Sequence, residues 1–271
     1  MADYSKYLII TDLDGTLINS KQVISDKNLN AIKYFTEQGG RFAIATGRGI
    51  QNIRPFIKNF VLNGPCILYN GAAVYDFNHE KLLQAEFLEK DMLVDYIKYC
   101  LSTYEQMVVE IFTPEGMYIV SPEQNIDPFA QRENQPFFRA DLEEVLEHHW
   151  LKLMLCDNHD TLKEAQKAFA DFDLSGKFDN VFSHELYFEV LKKSVSKGSA
   201  LQSLKLLNDY RDKIVVSVGD YDNDIEMIRH ADLGLAVENA RECVKQAADR
   251  VIVSNDNDAI NDIIFNIIPT I

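Results

Sequence analysis

Two aspartates one residue apart, Asp12 and Asp14, stand where the apolar run "YLIIT" gives out, and Gly15 and Thr16 follow at once. Neighbouring carboxylates repel, and both lose solvation near a core, so the pairing needs compensation. Two more polar clusters close apolar runs: Thr46-Gly47-Arg48 after "RFAIA", and Gly219-Asp220 with Asp222, Asn223 and Asp224 after "KIVVSV". In a pleated strand residues i and i+2 share a side, so Asp12 and Asp14 are expected to address one point. Gly15 lets the backbone turn sharply beyond them. Converging carboxylates want a cation. An oxygen-only set, with no cysteine or histidine near it in sequence, suits Mg²⁺, which keeps several waters and binds beside substrate phosphate. Asp12 and Asp220 are the expected side-chain ligands. The competing reading of any one such cluster is a solvated turn, and three polar strand ends in one chain weigh against it. For Asp222 and Asp224 the competing reading is local, because acidic residues are favoured in a helix's first turn.

Lys197, within "VSKGSALQSL", falls at the start of a helical pattern. A cation there opposes the macrodipole at a cost of about 0.3–1 kcal/mol. A local rule broken without evident benefit points to function. With the helix's free N–H groups, the lysine would make an anion site. The alternative is one more surface lysine after Lys192 and Lys193.

These residues need strands to carry them. "YLIIT", "RFAIAT" and "CILYN" read as buried strands, separated by helical patterns in "SDKNLNAIKYFTEQGG", with Ser25 as its cap, and in "GIQNIRPFIKNF". That alternation predicts a parallel sheet with helices on both faces, whose active sites lie at the carboxyl ends of the strands. From about residue 84 the pattern changes. "QMVVEIFTPEGMYIVS" holds two β-rich runs around a Pro-Glu-Gly turn, an antiparallel signal, and "WLKLMLC" and "LYFEV" are further strands beside a helix in "TLKEAQKAFADF". After about residue 190 the first pattern returns. The expectation is an α/β fold with a discontinuous core at 1–83 and 190–271 and an inserted α/β domain at 84–189.

The 271 residues suffice for a sizeable core, and 46% hydrophobic with 25% charged residues is the composition of an ordinary globular protein. With 42 acidic against 27 basic residues the net charge is −15, which disfavours nucleic acid and anionic membrane surfaces as partners. An anionic substrate must then be held by local positive groups. Cys66, Cys100, Cys156 and Cys243 are scattered, which predicts buried thiols in a reducing compartment. No targeting segment is visible, and "IIFNIIPTI" is too short to span a bilayer, so the cytoplasm is the expected location. The six histidines form no metal-ligand spacing.

In order along the chain, "DLDGTL", "ATGR", "SKG" and "GDYDNDIEM" resemble the four motifs of the haloacid dehalogenase-like superfamily of phosphohydrolases. "LYNGAAVYD" and "GLAVENARECVKQAADRVIVSNDNDAI" are similar to its Cof-type branch, mostly phosphatases of sugar phosphates and related small molecules. The likeness spans roughly residues 1–78 and 188–262. The family's fold is a Rossmann-like core with an α/β cap. Here the cap falls between Thr46 and Lys197, since Asp14 and Thr46 stand too close together to hold one.

The resemblance implies that Asp12 is the nucleophile toward a small phosphate monoester, forming an aspartyl-phosphate that water hydrolyses. Asp14 would protonate the leaving oxygen and then take a proton from the water. Four aspartates outnumber one lysine and one divalent cation, so one is expected to hold a proton, and Asp14 is the one that needs it. By the same analogy Mg²⁺ is held by the side chains of Asp12 and Asp220 and the backbone carbonyl of Asp14, with Asn223 and Asp224 in support. Thr46 and Lys197, with the Gly47 N–H, would hold the phosphoryl oxygens. Arg48 would reach the rest of the substrate or pair with a surface acid. Asn70 and Gly71 would shape the site's edge or serve only the strand-to-turn passage, and His184 and Glu185 are candidate specificity contacts. The rival functions are a phosphomutase of the same superfamily and a non-catalytic sugar-phosphate sensor.

Overall fold

The computed structural model describes residues 3–58, 60–132 and 135–271. Along the chain come β1 (Tyr7–Thr11), α1 (Asp26–Glu37), β2 (Arg41–Ile44), α2 (Ile50–Ile57), β3 (Cys66–Leu68), β4 (Ala73–Asp76) and β5 (Lys81–Ala85). They are followed by α3 (Val94–Thr103), β6 (Val108–Phe112), β7 (Met117–Ile119), α4 (Pro128–Arg132), β8 (Phe138–Arg139), α5 (Leu142–Val145), β9 (Lys152–Cys156), α6 (His159–Asp171), β10 (Phe178–His184) and β11 (Tyr187–Lys192). The chain closes with α7 (Lys197–Lys205), β12 (Ile214–Gly219), α8 (Ile225–His230), β13 (Leu233–Val237), α9 (Glu242–Ala247), β14 (Arg250–Ile252) and α10 (Ala259–Asp262). Two compact units emerge: Met1–Arg48 with Arg54–Gln84 and Ser196–Ile271, and Gly49–Ile53 with Ala85–Val195.

The first unit is built on a parallel sheet in the order β14-β13-β12-β1-β2. Every residue of β1 is buried, the burial on both faces that a continuous apolar run requires. Helix α1 packs against α10, while α8 packs against both α7 and α9, so helices cover both faces. Ser25 caps α1 by accepting from the Asn28 N–H at 3.1 Å. The C-terminal apolar run continues α10 as a wider helical turn, Ile263–Ile267, and its isoleucines Ile263, Ile264 and Ile268 are buried. Among the described residues no helix is long and apolar enough to cross a membrane.

The run at Cys66, expected as a third strand of the α/β alternation, meets the main sheet through a parallel bridge between Ala45 and Ile67 and through Cys66 Sγ, which accepts from the Ile44 N–H at 3.5 Å. It pairs antiparallel with β4 instead, and β5 completes a small sheet. The residues joining β3 to β4 are too few for a parallel crossover, so the chain turns back. In that turn Tyr69 and Asn70 take left-handed backbone, with φ of 51° and 55°, at a cost of roughly 1–2 kcal/mol each for non-glycine residues.

The second unit carries a mostly antiparallel sheet in the order β10-β11-β9-β6-β7-β8. One face, including Val109, Ile111, Leu153, Leu155 and Phe188, packs on α3 and α6 through Tyr96, Ile97, Leu162 and Phe169. On the alternate positions, Glu110 and Glu189 both stand opposite Met154, and Lys152 lies 3.0 Å from Glu189. Glu110, Glu189 and Lys152 are all buried. Both Glu110 oxygens lack a hydrogen-bond partner among the described residues, and burial pushes its carboxyl well above the usual range, with Asp127 adding to the effect.

Candidate active site

β1 and β12 are parallel neighbours, Thr11 opposite Val218, so the residues just beyond them emerge side by side. Asp12 follows β1 and Asp220 follows β12. Helix α7 begins with Lys197, its N-terminus capped by Ser196, whose hydroxyl accepts from the Ser199 N–H at 3.0 Å. Lys197 is 1% exposed, which removes the surface-lysine reading. Its ammonium donates to Asp12 Oδ1 at 2.6 Å and to Asp224 Oδ1 at 2.7 Å. Asp224 is wholly buried, and its second oxygen accepts from the N–H groups of Asp220 and Tyr221 at 3.0 and 3.1 Å. Its helix-start position and its tie to Lys197 are thus two uses of one carboxylate.

Asp12, Asp220 and Asp224 offer oxygens that lie within 4.8 Å of one another. Burial pushes the Asp12 carboxyl well above the usual range, Lys197 opposes this, and Asp224 and Asp220 add to it. Asp220 is raised to about 6 by burial and by Asp224, against the Thr16 hydroxyl, which donates to its Oδ1 at 2.8 Å. Burial lowers the Lys197 ammonium, but Asp12 and Asp224 outweigh it and leave it above its ordinary value. One lysine therefore does not neutralise the cluster. The donor set is oxygen alone, and Asn223 adds a buried Oδ1 with no hydrogen-bond partner among the described residues. Hard oxygen donors, carboxylates short of positive charge and an orphaned acceptor fit Mg²⁺.

Asp14 does not join this cluster. β1 ends at Thr11, and the chain has already turned at Asp14, which bridges to Ile18, so strand alternation no longer sets its direction. Gly15, at φ 80°, makes the turn, and a Cβ there would lie 2.6 Å from Asp220 Oδ2. The half-exposed Asp14 carboxylate is held by Arg48, with Nε on Oδ2 at 2.7 Å and Nη2 on Oδ1 at 2.9 Å. The Arg48 guanidinium also lies 4.7 Å from the Phe56 ring centroid. Of the two expectations for Arg48, the structure places it on an acid, where it adds a positive charge to that of Lys197.

Thr46 is buried, and its hydroxyl accepts from the Arg48 N–H at 3.1 Å, which leaves its own O–H to be donated. Gly47 lies against the Asn70 side chain, 3.1 Å from where its Cβ would be. Asp222 turns to the surface, accepting from Arg241 at 2.6 Å and from the Cys243 thiol at 3.0 Å. Cys243 is exposed, so the expectation of four buried thiols holds only for Cys66, Cys100 and Cys156. His184 and Glu185 are exposed positions of the second unit.

Thr16 and Asn239 also serve the site, though neither was an expected site residue. The Thr16 hydroxyl holds Asp220, and Asn239 donates to the Gly15 carbonyl at 2.8 Å while accepting from Asn255 N–H at 3.0 Å. A hydroxyl placed just after the Asp-Gly turn was the available signal for the first. The second offered none, because its partner is remote in sequence.

A family model described as haloacid dehalogenase-like hydrolase matches residues 9–264. The chain is 27% identical over 253 residues to 5-amino-6-(5-phospho-D-ribitylamino)uracil phosphatase of Bacillus subtilis, covering 93% of this chain and 92% of that protein. It is 27% identical over 269 residues to pyridoxal phosphate phosphatase of Escherichia coli, covering 96% and 97%. Among solved structures, a haloacid dehalogenase-like hydrolase from Bacteroides thetaiotaomicron matches with TM-score 0.80 at 26% identity, covering 95% and 98%. A protein from Thermotoga maritima matches with TM-score 0.82 at 27% identity, covering 95% and 96%. The fold, its strand-end carboxylates and a family match over nearly the whole chain agree: this protein belongs to the haloacid dehalogenase-like hydrolase family.

Proposed function

We propose that this chain is a Mg²⁺-dependent phosphatase that hydrolyses small phosphate monoesters, sugar phosphates or similar metabolites, through a phosphoryl group carried on Asp12. The observation that carries this reading is the buried Lys197 bridging Asp12 and Asp224, with Asp220 at the neighbouring strand end. Family membership supports it, and so do relatives named as phosphatases of two phosphorylated metabolites.

Asp12 Oδ1 is taken by Lys197, so Oδ2 is the attacking atom. It bonds to phosphorus as the ester P–O bond breaks, and Asp14 gives its proton to the leaving alkoxide. Asp14 then takes a proton from water as the water oxygen attacks phosphorus, releasing phosphate and restoring Asp12. Lys197, kept charged by Asp224, and the Thr46 hydroxyl donate to the phosphoryl oxygens as they gain charge. Mg²⁺, held by Asp12, Asp220 and the Asp14 carbonyl, would supply the remaining positive charge against those oxygens. To act as an acid Asp14 must hold a proton on one oxygen, and each oxygen now accepts from Arg48. Each oxygen keeps a second lone pair beyond the one Arg48 occupies, so Asp14 can take up and give the proton with Arg48 in place.

A panel of phosphate monoesters incubated with Mg²⁺ tests the reading. Free phosphate is the expected product. An isomeric sugar phosphate in its place identifies a mutase, and binding without conversion of any ester identifies a sensor.

A further inference from the structure

The turn between β3 and β4 contains three consecutive residues at positive φ, Tyr69, Asn70 and Gly71, and the first two are neither glycine nor exposed. A four-residue hairpin connection is ordinarily built around a type I turn and needs no such run. Strain of this kind persists only where surrounding contacts impose it. Here the contacts reach three separate parts of the site. The Tyr69 N–H donates to the Arg48 carbonyl and the Asn70 N–H to the Thr46 carbonyl, each at 3.1 Å. Gly71, at φ 105°, passes so close to the residue before Lys197 that a Cβ would fall 2.1 Å from the Ser196 carbonyl oxygen. The Asn70 side chain accepts from Asn223 Nδ2 at 2.9 Å and lies against Gly47.

The bond to Asn223 fixes an orientation. An amide has a donor end and an acceptor end, and the partner network decides which way it lies. Asn70 Oδ1 takes the Asn223 donor end, leaving Asn223 Oδ1 as the buried atom without a partner among the described residues. Asn223 directly precedes Asp224 of the carboxylate cluster. An acceptor at that point suits the water shell that Mg²⁺ retains.

We propose that Asn70 is a positioning residue of this enzyme: its side chain takes the donor end of the Asn223 amide, so that the Asn223 oxygen is left as an acceptor for Mg²⁺ binding. The proposal rests on the metal-dependent reading above. It predicts a role for the side chain separate from that of the strained backbone.

The test compares wild type with Asn70→Gly, Asn223→Ala and the double variant. Glycine adopts positive φ freely, so Asn70→Gly removes the amide and relieves the backbone. Mg²⁺ affinity is measured by calorimetry, kcat and KM with p-nitrophenyl phosphate, and Tm by calorimetric scanning. Asn70→Gly is expected to keep its Tm, to bind Mg²⁺ about tenfold more weakly, and to lose kcat at limiting Mg²⁺ with little change in KM. In the double variant the Mg²⁺ affinity should match that of Asn223→Ala alone, because the two residues act in series. Wild-type Mg²⁺ affinity in Asn70→Gly, or losses that multiply in the double variant, overturns the proposal. A wild type inert toward the ester that still binds Mg²⁺ more tightly than Asn70→Gly sinks the phosphatase reading alone. Failure of the wild type to bind Mg²⁺ sinks both.

Discussion

Arg48 closes on both carboxylate oxygens of Asp14, at 2.7 and 2.9 Å, across 34 residues of sequence. The planar fork matches the carboxylate, and a lysine offers only a point charge. If this grip orients Asp14 for proton transfer, Arg48→Lys loses kcat by about tenfold, less than the roughly 10²–10⁴-fold that an acid–base group itself contributes, while KM moves less. Steady-state kinetics with a phosphate monoester check this. Unchanged kcat would reduce the pair to surface decoration.

Removing the lysine from the centre should cost stability as well as activity. Lys197 is buried between two carboxylates, and deleting one partner of a buried ion pair strands the others, at about 3–5 kcal/mol. Urea unfolding of Lys197→Ala in EDTA should show a loss of that order. A loss under about 0.5 kcal/mol, the usual limit for surface substitutions, is incompatible with the charge arrangement described.

The strand ends were the legible part of this site. Asp12, Asp220 and Lys197 each lie within one residue of an element boundary, and boundaries follow from local hydrophobic pattern. The pairings were illegible because they join residues far apart in sequence: Arg48 to Asp14, Thr16 to Asp220, Asn223 to Asn70. Asp14 was misdirected because strand alternation was carried three residues past the end of β1. In the fold, the parallel core announced itself through buried apolar runs. The strand Phe178–His184 did not, since its "FDNVFSH" is half polar and only partly buried, and pairing with β11 is what makes it a strand.

Thr16 supports Asp220 without joining the carboxylate cluster. Thr16→Val keeps the shape and removes the hydrogen bond to Oδ1. Loss of such an outer partner typically weakens metal binding by 10–100-fold, so the Mg²⁺ concentration for half-maximal activity should rise by about tenfold or more. Activity at saturating Mg²⁺ should recover. A variant with wild-type Mg²⁺ dependence contradicts the assignment.

Glu110 gives the protein a pH dependence unrelated to the active site. Burial raises its carboxyl well above the ordinary 4.5, with Asp127 and Glu189 adding to the rise and Lys152 opposing it. The folded state keeps a proton that the unfolded chain sheds, so stability is undiminished below about pH 4.5 and declines as pH rises toward the folded-state value. Glu110→Gln cannot lose that proton. Its Tm should exceed the wild type's at pH 8 and converge with it at pH 4; a parallel offset at both pH values excludes the linkage.

The central claim is that Asp12 carries the phosphoryl group with the help of a divalent cation, and one comparison addresses it directly. Phosphate release from a monoester is followed for the wild type in Mg²⁺, for the wild type in EDTA, and for Asp12→Asn in Mg²⁺. The account predicts release in the first alone. Release by Asp12→Asn at the wild-type rate, or in EDTA as fast as in Mg²⁺, would contradict it.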